Sequence, residues 1–174
     1  MRKNILTIII ITITSLCSFG QDYGKISELD IKNGFKTIVL GDSVSNYKDF
    51  KLIGPGEQDS EFYEGSSVGL NIGDVSLKSI AIATFRERIS RIIVFFDPAD
   101  GYKIKDILNK AYGLYTDKPN RFMDKFEWSS PKVRLTLDYD NRSDKGSMIF
   151  SSKEVVNEES DFRDSESKRA TEDL

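Results

Sequence analysis

The sequence predicts an α+β domain, an antiparallel sheet with helices packed on one face. Three observations carry that expectation. Residues 77–85 and 89–96 are rich in Ile, Val and Phe, and only Arg86-Glu87-Arg88 divides them, the mark of a β-hairpin. Ile104, Ile107, Leu108, Ala111 and Tyr112 then recur at helical spacing. Beyond them the period returns to two, with Phe126 and Trp128, then Val133, Leu135, Leu137 and Tyr139, then Met148 and Phe150 at alternate positions. Strands on both sides of one amphipathic helix belong to the α+β class.

Taken in order, residues 1–20 read as a secretory signal peptide. Arg2 and Lys3 supply the positive charge, an Ile-rich run follows, and Ser18-Phe19-Gly20 places small residues for cleavage before Gln21. The apolar run is shorter than the roughly 20 residues of a membrane-spanning helix. Lipidation at Cys17 is the rival reading, against which Leu16 stands where a lipobox has a small residue. The mature protein is therefore expected in the periplasm or outside the cell, with no stable membrane span.

Residues 21–33 are polar and mixed, and read as a flexible lead-in. Residues 35–40, FKTIVL, read as a short strand stopped by Gly41-Asp42. Ser43 is placed to cap a short helix through about Phe50. Gly54-Pro55-Gly56 reads as a breaker. Short strands are expected around Phe62-Tyr63 and over residues 68–72.

In the central hairpin, Ile80 and Ile82 should face Ile92 and Val94. Both alternate sets of residues are largely apolar, so these strands should be covered on both faces. Residues 97–101, DPADG, end the sheet. The helix over about 102–113 carries Lys103, Lys105, Asp106, Asn109 and Lys110 on its wet side, and Gly113 is placed as its C-terminal cap. Asn141 and Gly146 bound the last turn.

From residue 153 the composition turns polar, with eight acidic and four basic residues to the end. That stretch reads as a charged, disordered tail. The single domain is thus expected over 34–152. Its two parts, 41–96 and 97–151, show the same order of signals, a weak helix-β-β-β duplication.

Composition excludes much chemistry. The 174 residues include no histidine and one cysteine, Cys17, inside the leader. Ser-His-Asp and Cys-His systems cannot be built from this chain alone, and zinc, haem and iron–sulfur ligation lack their usual donors. No catalytic residue, metal ligand or cofactor is assigned. Loss of Arg2 and Lys3 with the leader would change the formal charge from -3 to -5, which gives no general attraction for nucleic acid.

Several motifs invite catalytic readings. Residues 37–44, TIVLGDSV, resemble the opening of the nucleophile block of the GDSL esterases and lipases, whose serine needs a histidine base. Ser-x-x-Lys occurs at Ser45/Lys48, Ser129/Lys132 and Ser165/Lys168, without companion motifs. Asp138, Asp140, Asn141 and Asp144 gather near one turn, but Arg142 and Ser143 stand where a calcium loop needs an oxygen ligand and a glycine. Asn141-Arg142-Ser143 matches a glycosylation sequon. Trp128 is expected in the core, and Tyr112 and Tyr115 near the helix end.

Gly41-Asp42-Ser43 before a short helix, the hairpin ending at Phe96, the Leu108 to Gly113 helix end and the Trp128 strand together resemble small exported bacterial proteins of the β-lactamase inhibitor protein-like and SmpA/OmlA-like fold group. The leader is similar to those of Bacteroidetes secreted proteins. The resemblance implies binding of another envelope or secreted protein rather than catalysis. The expected function is an exported, non-enzymatic binding or adaptor protein. The alternative is a small extracytoplasmic hydrolase or lyase dependent on carboxylates or Lys.

Overall fold

The period-two segments assemble into one antiparallel sheet, and the period-3.6 segment lies across it. The structure is a computed structural model that describes residues 20–172 except 58 and 66–68, with side chains described from residue 25 onward. The expected leader lies outside the described residues, apart from Gly20.

Helix α1 (Gly20–Lys32) leads into β1 (Gly34–Phe35) and β2 (Ile38–Val39), a two-stranded hairpin. A 3-10 turn at Val44–Asn46 precedes β3 (Lys51–Pro55), β4 (Ser60–Gly65), β5 (Asn71–Ile72), β6 (Val75–Phe85) and β7 (Arg88–Phe96). A second 3-10 turn, Pro98–Asp100, opens α2 (Gly101–Tyr112). Then come β8 (Asp124–Ser129), β9 (Val133–Asp140), β10 (Lys145–Ser152) and α3 (Lys153–Glu172). The main sheet runs β3-β4-β6-β7-β10-β9-β8, and β5 pairs with β6. Two meanders thus meet where β10 pairs antiparallel with β7.

Register sorts the side chains onto two faces. One cross-strand row runs Tyr63, Ile82, Ile92, Phe150, Leu135, Trp128, and the next holds Ile80, Val94, Met148, Leu137 and Phe126. Apart from the half-buried Tyr63, all of these are buried and form the core. The expected facing of Ile80 and Ile82 with Val94 and Ile92 is realised in this register. Full burial of one such aliphatic side chain stabilises by about 1.5–3 kcal/mol. The β6–β7 turn is made by Arg86 and Glu87, both with positive φ, as a two-residue type I′ turn requires.

Helix α2 buries Gly101, Ile104, Leu108 and Tyr112, with Ile107 and Ala111 packed beside them, as its stripe predicts. A Cβ on Gly101 would stand 2.3 Å from Cγ of Tyr139, so the helix start lies directly on β9. Gly113 caps the helix with φ 84, and its N–H donates to the Asn109 carbonyl. The Gly113 carbonyl accepts from Trp128 Nε1 at 2.9 Å, which satisfies the buried indole.

Several expectations are corrected. The lead-in at 21–33 is helical from Gly20 to Lys32, and Leu29 is fully buried against the core. Asp30 Oδ1 accepts from the Lys132 and Val133 amides, tying α1 to the β8–β9 corner. Those partners lie about a hundred positions away, beyond any local pattern. Residues 35–40 are interrupted by a turn at Lys36, where φ is positive, so one strand becomes a hairpin. The helix expected through Phe50 is only the 3-10 turn Val44–Asn46. Gly54 and Pro55 do not break the chain but end an edge strand, where the missing N–H of proline is tolerated. Of the strand expected over 68–72, Asn71 and Ile72 are paired, and residue 68 lies outside the described residues.

The largest correction is at the C-terminal end. Residues 153–172 form α3 rather than a disordered tail. Its Glu159 meets Arg91, which alternates with the core-facing Ile92, so α3 touches the sheet face opposite α2. The packed body therefore extends past 34–152 at both ends.

Candidate functional site

Alternation that puts Ile82 and Ile92 in the core puts their neighbours on the outer face. There the rows read Phe62, Ala83, Arg91, Ser151, Arg134, then Glu64, Ala81, Ile93, Ile149, Thr136, then Ser79, Phe95, Ser147, Asp138. A solvated sheet face is normally polar. Here its middle is apolar, with Phe62 39% and Phe95 38% exposed and Ile93 and Ile149 half-buried. These residues made the central strands look covered on both faces in sequence, but in the structure only part of that second face is covered.

The partial cover is α3, and charge holds much of it in place. Arg88 donates to Glu154 Oε1 at 2.8 Å and to both oxygens of Glu158 at 3.0 and 3.1 Å. The hydrogen bond to Glu154 raises the Arg88 pKa further and keeps its charge fixed. Glu159, 7% exposed, accepts from Arg91 at 2.8 Å and from Arg163 at 3.1 Å. Val155 is fully buried, and Phe162 packs on Phe85 with ring centroids 5.8 Å apart. The Arg86 guanidinium covers both rings, 5.0 Å from Phe85 and 4.6 Å from Phe162.

Hollows lie on either side of α3. One, of ≈ 620 Å³, runs between Phe62, Ala83, Ile93 and Glu159. The other, of ≈ 490 Å³, is lined by Ile149 and Thr136 together with Arg91, Lys125, Arg134 and Lys153. Two of these cations are already paired, Arg91 with Glu159 and Arg134 with Glu127.

On the opposite, helix-bearing side, a cleft of ≈ 470 Å³ opens between α2 and β5. Met148 and Phe150 form its floor, Ile107 and Ala111 one wall, and Ile72 the other. Tyr112 also lines it, and burial raises its phenol pKa, with Glu28 adding to the effect.

The motifs singled out in sequence serve the fold. Ser43 accepts from the Ser45 amide at 3.4 Å as the cap of the 3-10 turn, and Asp42 accepts from the Tyr47 hydroxyl at 3.1 Å. Ser45 shares its hydroxyl hydrogen bond with Ser43, not with Lys48. Ser165 donates to the Phe162 carbonyl within α3. Asp140 accepts from the Arg142 amide and the Ser143 hydroxyl, which lower its pKa and close the hairpin turn. Tyr115 lies edge-on to Trp128 and tilted against Phe126. Among the described residues, no three His, Cys, Asp or Glu side chains are grouped to hold a metal ion. No described helix is long and apolar enough to cross a membrane.

Sequence reasoning missed the outer face because it took the apolar alternates at Ile93 and Phe95 for a second buried side. The available signal was the polar set Ser147, Ser151, Arg134 and Thr136 on the partner strands, which a fully covered face would not carry.

Compared with protein-family models, with curated proteins and with solved structures, the chain matches none.

Proposed function

We propose that this chain is an exported, non-enzymatic binding or adaptor protein of a bacterial envelope. Its partner is another envelope or secreted protein that docks on the outer face of the sheet. The observation that carries the reading is the apolar surface of Phe62, Ile93, Phe95 and Ile149 on a face where solvent calls for polar residues. Arg91, paired with Glu159, Arg134, paired with Glu127, and Lys125 border it, so the fitting partner presents first of all an apolar segment. Arg2-Lys3, the Ile-rich run and Ser18-Phe19-Gly20 support export and cleavage before Gln21. The absence of histidine supports a binding role over catalysis. The likeness to the β-lactamase inhibitor protein-like and SmpA/OmlA-like group and the duplication of 41–96 in 97–151 belong to the same proposal, whereas helices on one face alone do not, since α2 and α3 lie on opposite faces.

A photo-crosslinking side chain placed at Phe95 tests it in the native host. The expected result is a discrete heavier adduct from Phe95 and none from the same probe at the exposed Tyr102 of α2. Intact mass of the protein should start at Gln21. No adduct, a self-adduct, or equal adducts from both positions would overturn the reading.

A further inference from the structure

The cleft on the helix-bearing side has a chemical character of its own. Its floor is the buried core pair Met148 and Phe150, and its walls are the half-buried Ile107, Ala111 and Ile72. Its volume, ≈ 470 Å³, falls in the range of small-molecule sites. The charged residues that line it are Lys32 and Lys36, and none is acidic. Lys36 stands over Phe35, its Nζ 5.7 Å from the ring centroid and donating to the Gly69 carbonyl at 2.7 Å, and Lys32 stands over Tyr112, its Nζ 5.4 Å from the ring centroid.

We propose that this cleft binds a single-chain amphiphile, an unbranched alkyl chain ending in one anionic group. The chain lies along Ile107, Ala111 and Ile72, between α2 and β5 and above the core residues Met148 and Phe150, and the anionic head lies within reach of Lys32 and Lys36. Each physical element is met. The apolar lining takes methylene groups out of water, and among the described lining residues the charged side chains are Lys32 and Lys36. The ammonium groups are exposed, so they hold the head at the cleft mouth without a buried charge to neutralise. The site lies on the face opposite the proposed partner surface, so either proposal can fail alone.

The test is calorimetric titration of the protein with decanoate and dodecanoate, kept below micelle formation, and with dodecanol as the neutral counterpart. Saturable one-to-one binding is expected, with dodecanoate about fifteenfold tighter than decanoate, since each methylene contributes about fourfold. Ala111→Trp should fill the cleft and abolish binding. K32Q/K36Q, at exposed positions, should weaken dodecanoate at least tenfold and leave dodecanol unchanged. If Ala111→Trp melts early, the lysine variant alone decides. No binding, binding that survives a folded Ala111→Trp, or equal loss of dodecanol and dodecanoate in the lysine variant would overturn the proposal.

Discussion

Helices α2 and α3 lie on opposite faces of one sheet and are held by different forces. Helix α2 buries an aliphatic stripe, with Ile104 fully buried and Leu108 5% exposed. Helix α3 buries little beyond Val155 and Glu159, and Arg88 and Arg91 of β7 fasten it through Glu154, Glu158 and Glu159. The first kind of attachment is non-directional and is not weakened by charge screening. The second is directional and screened wherever it is exposed. The difference teaches that one face of this sheet belongs to the core, whereas the other carries a cover fastened largely by ion pairs beside the proposed partner surface.

Breaking the first attachment should have the largest effect. Leu108→Asp buries an unpaired carboxylate and empties an aliphatic site, and should lose about 4 kcal/mol or more in urea unfolding. A variant that unfolds within a few tenths of a molar of the parent would show that α2 does not seal the core. Gly101→Ala should follow at about 1–3 kcal/mol, because its Cβ meets the Tyr139 ring at 2.3 Å.

Breaking the second attachment should unfold less. Glu159→Ala leaves Arg91 and Arg163 without their shared carboxylate. Arg91 is partly exposed, which limits the loss to about 1–2 kcal/mol. Limited proteolysis should then cut within 153–172 first. Equal protection of α3 in parent and variant would mean that Val155 and Phe162 alone hold it. Arg88→Ala removes more exposed pairs and should change global stability by less than about 1 kcal/mol.

Titration sharpens the contrast at the sheet itself. Burial, reinforced by Asp124, pushes the Tyr139 pKa up to about 12, and the hydrogen bond to Glu61 pushes Tyr63 up to about 12. A phenol near 10 in the unfolded chain thus holds its proton more tightly when folded. That stability is fully present below pH 10 and is lost as pH rises through 12. Thermal melts should fall over that window, and less steeply in Tyr139→Phe. With no histidine, melts at pH 6 and pH 8 should nearly coincide.

The same contrast explains what could be read in the sequence. Everything held by local periodicity was legible: the α2 stripe, its Gly113 cap, the β6–β7 hairpin and the alternation of β8, β9 and β10. Helix α3 was not, because residues 153–172 lack an apolar stripe and their anchors, Arg88 and Arg91, lie 66 to 70 positions away. Helix α1 escaped for a similar reason, since its described fixing points include Leu29, Ile26 and the Asp30 bonds to residues 130, 132 and 133. The cleft needs Ile72, Ala111 and Phe150 brought together, which no linear pattern encodes. The outer face could have been suspected from the polar residues opposite Ile93 and Phe95, but only once β10 was known to pair with β7.

Amide hydrogen exchange, followed peptide by peptide at low salt and at about 1 M sodium chloride, tests most directly the claim that the two helices are held differently. The Debye length shrinks to about 3 Å at that salt, so the exposed pairs of Arg88 should weaken. The account predicts faster exchange across 153–172 with unchanged protection across Gly101–Tyr112. Equal responses of the two helices, or a loss confined to Gly101–Tyr112, would contradict it.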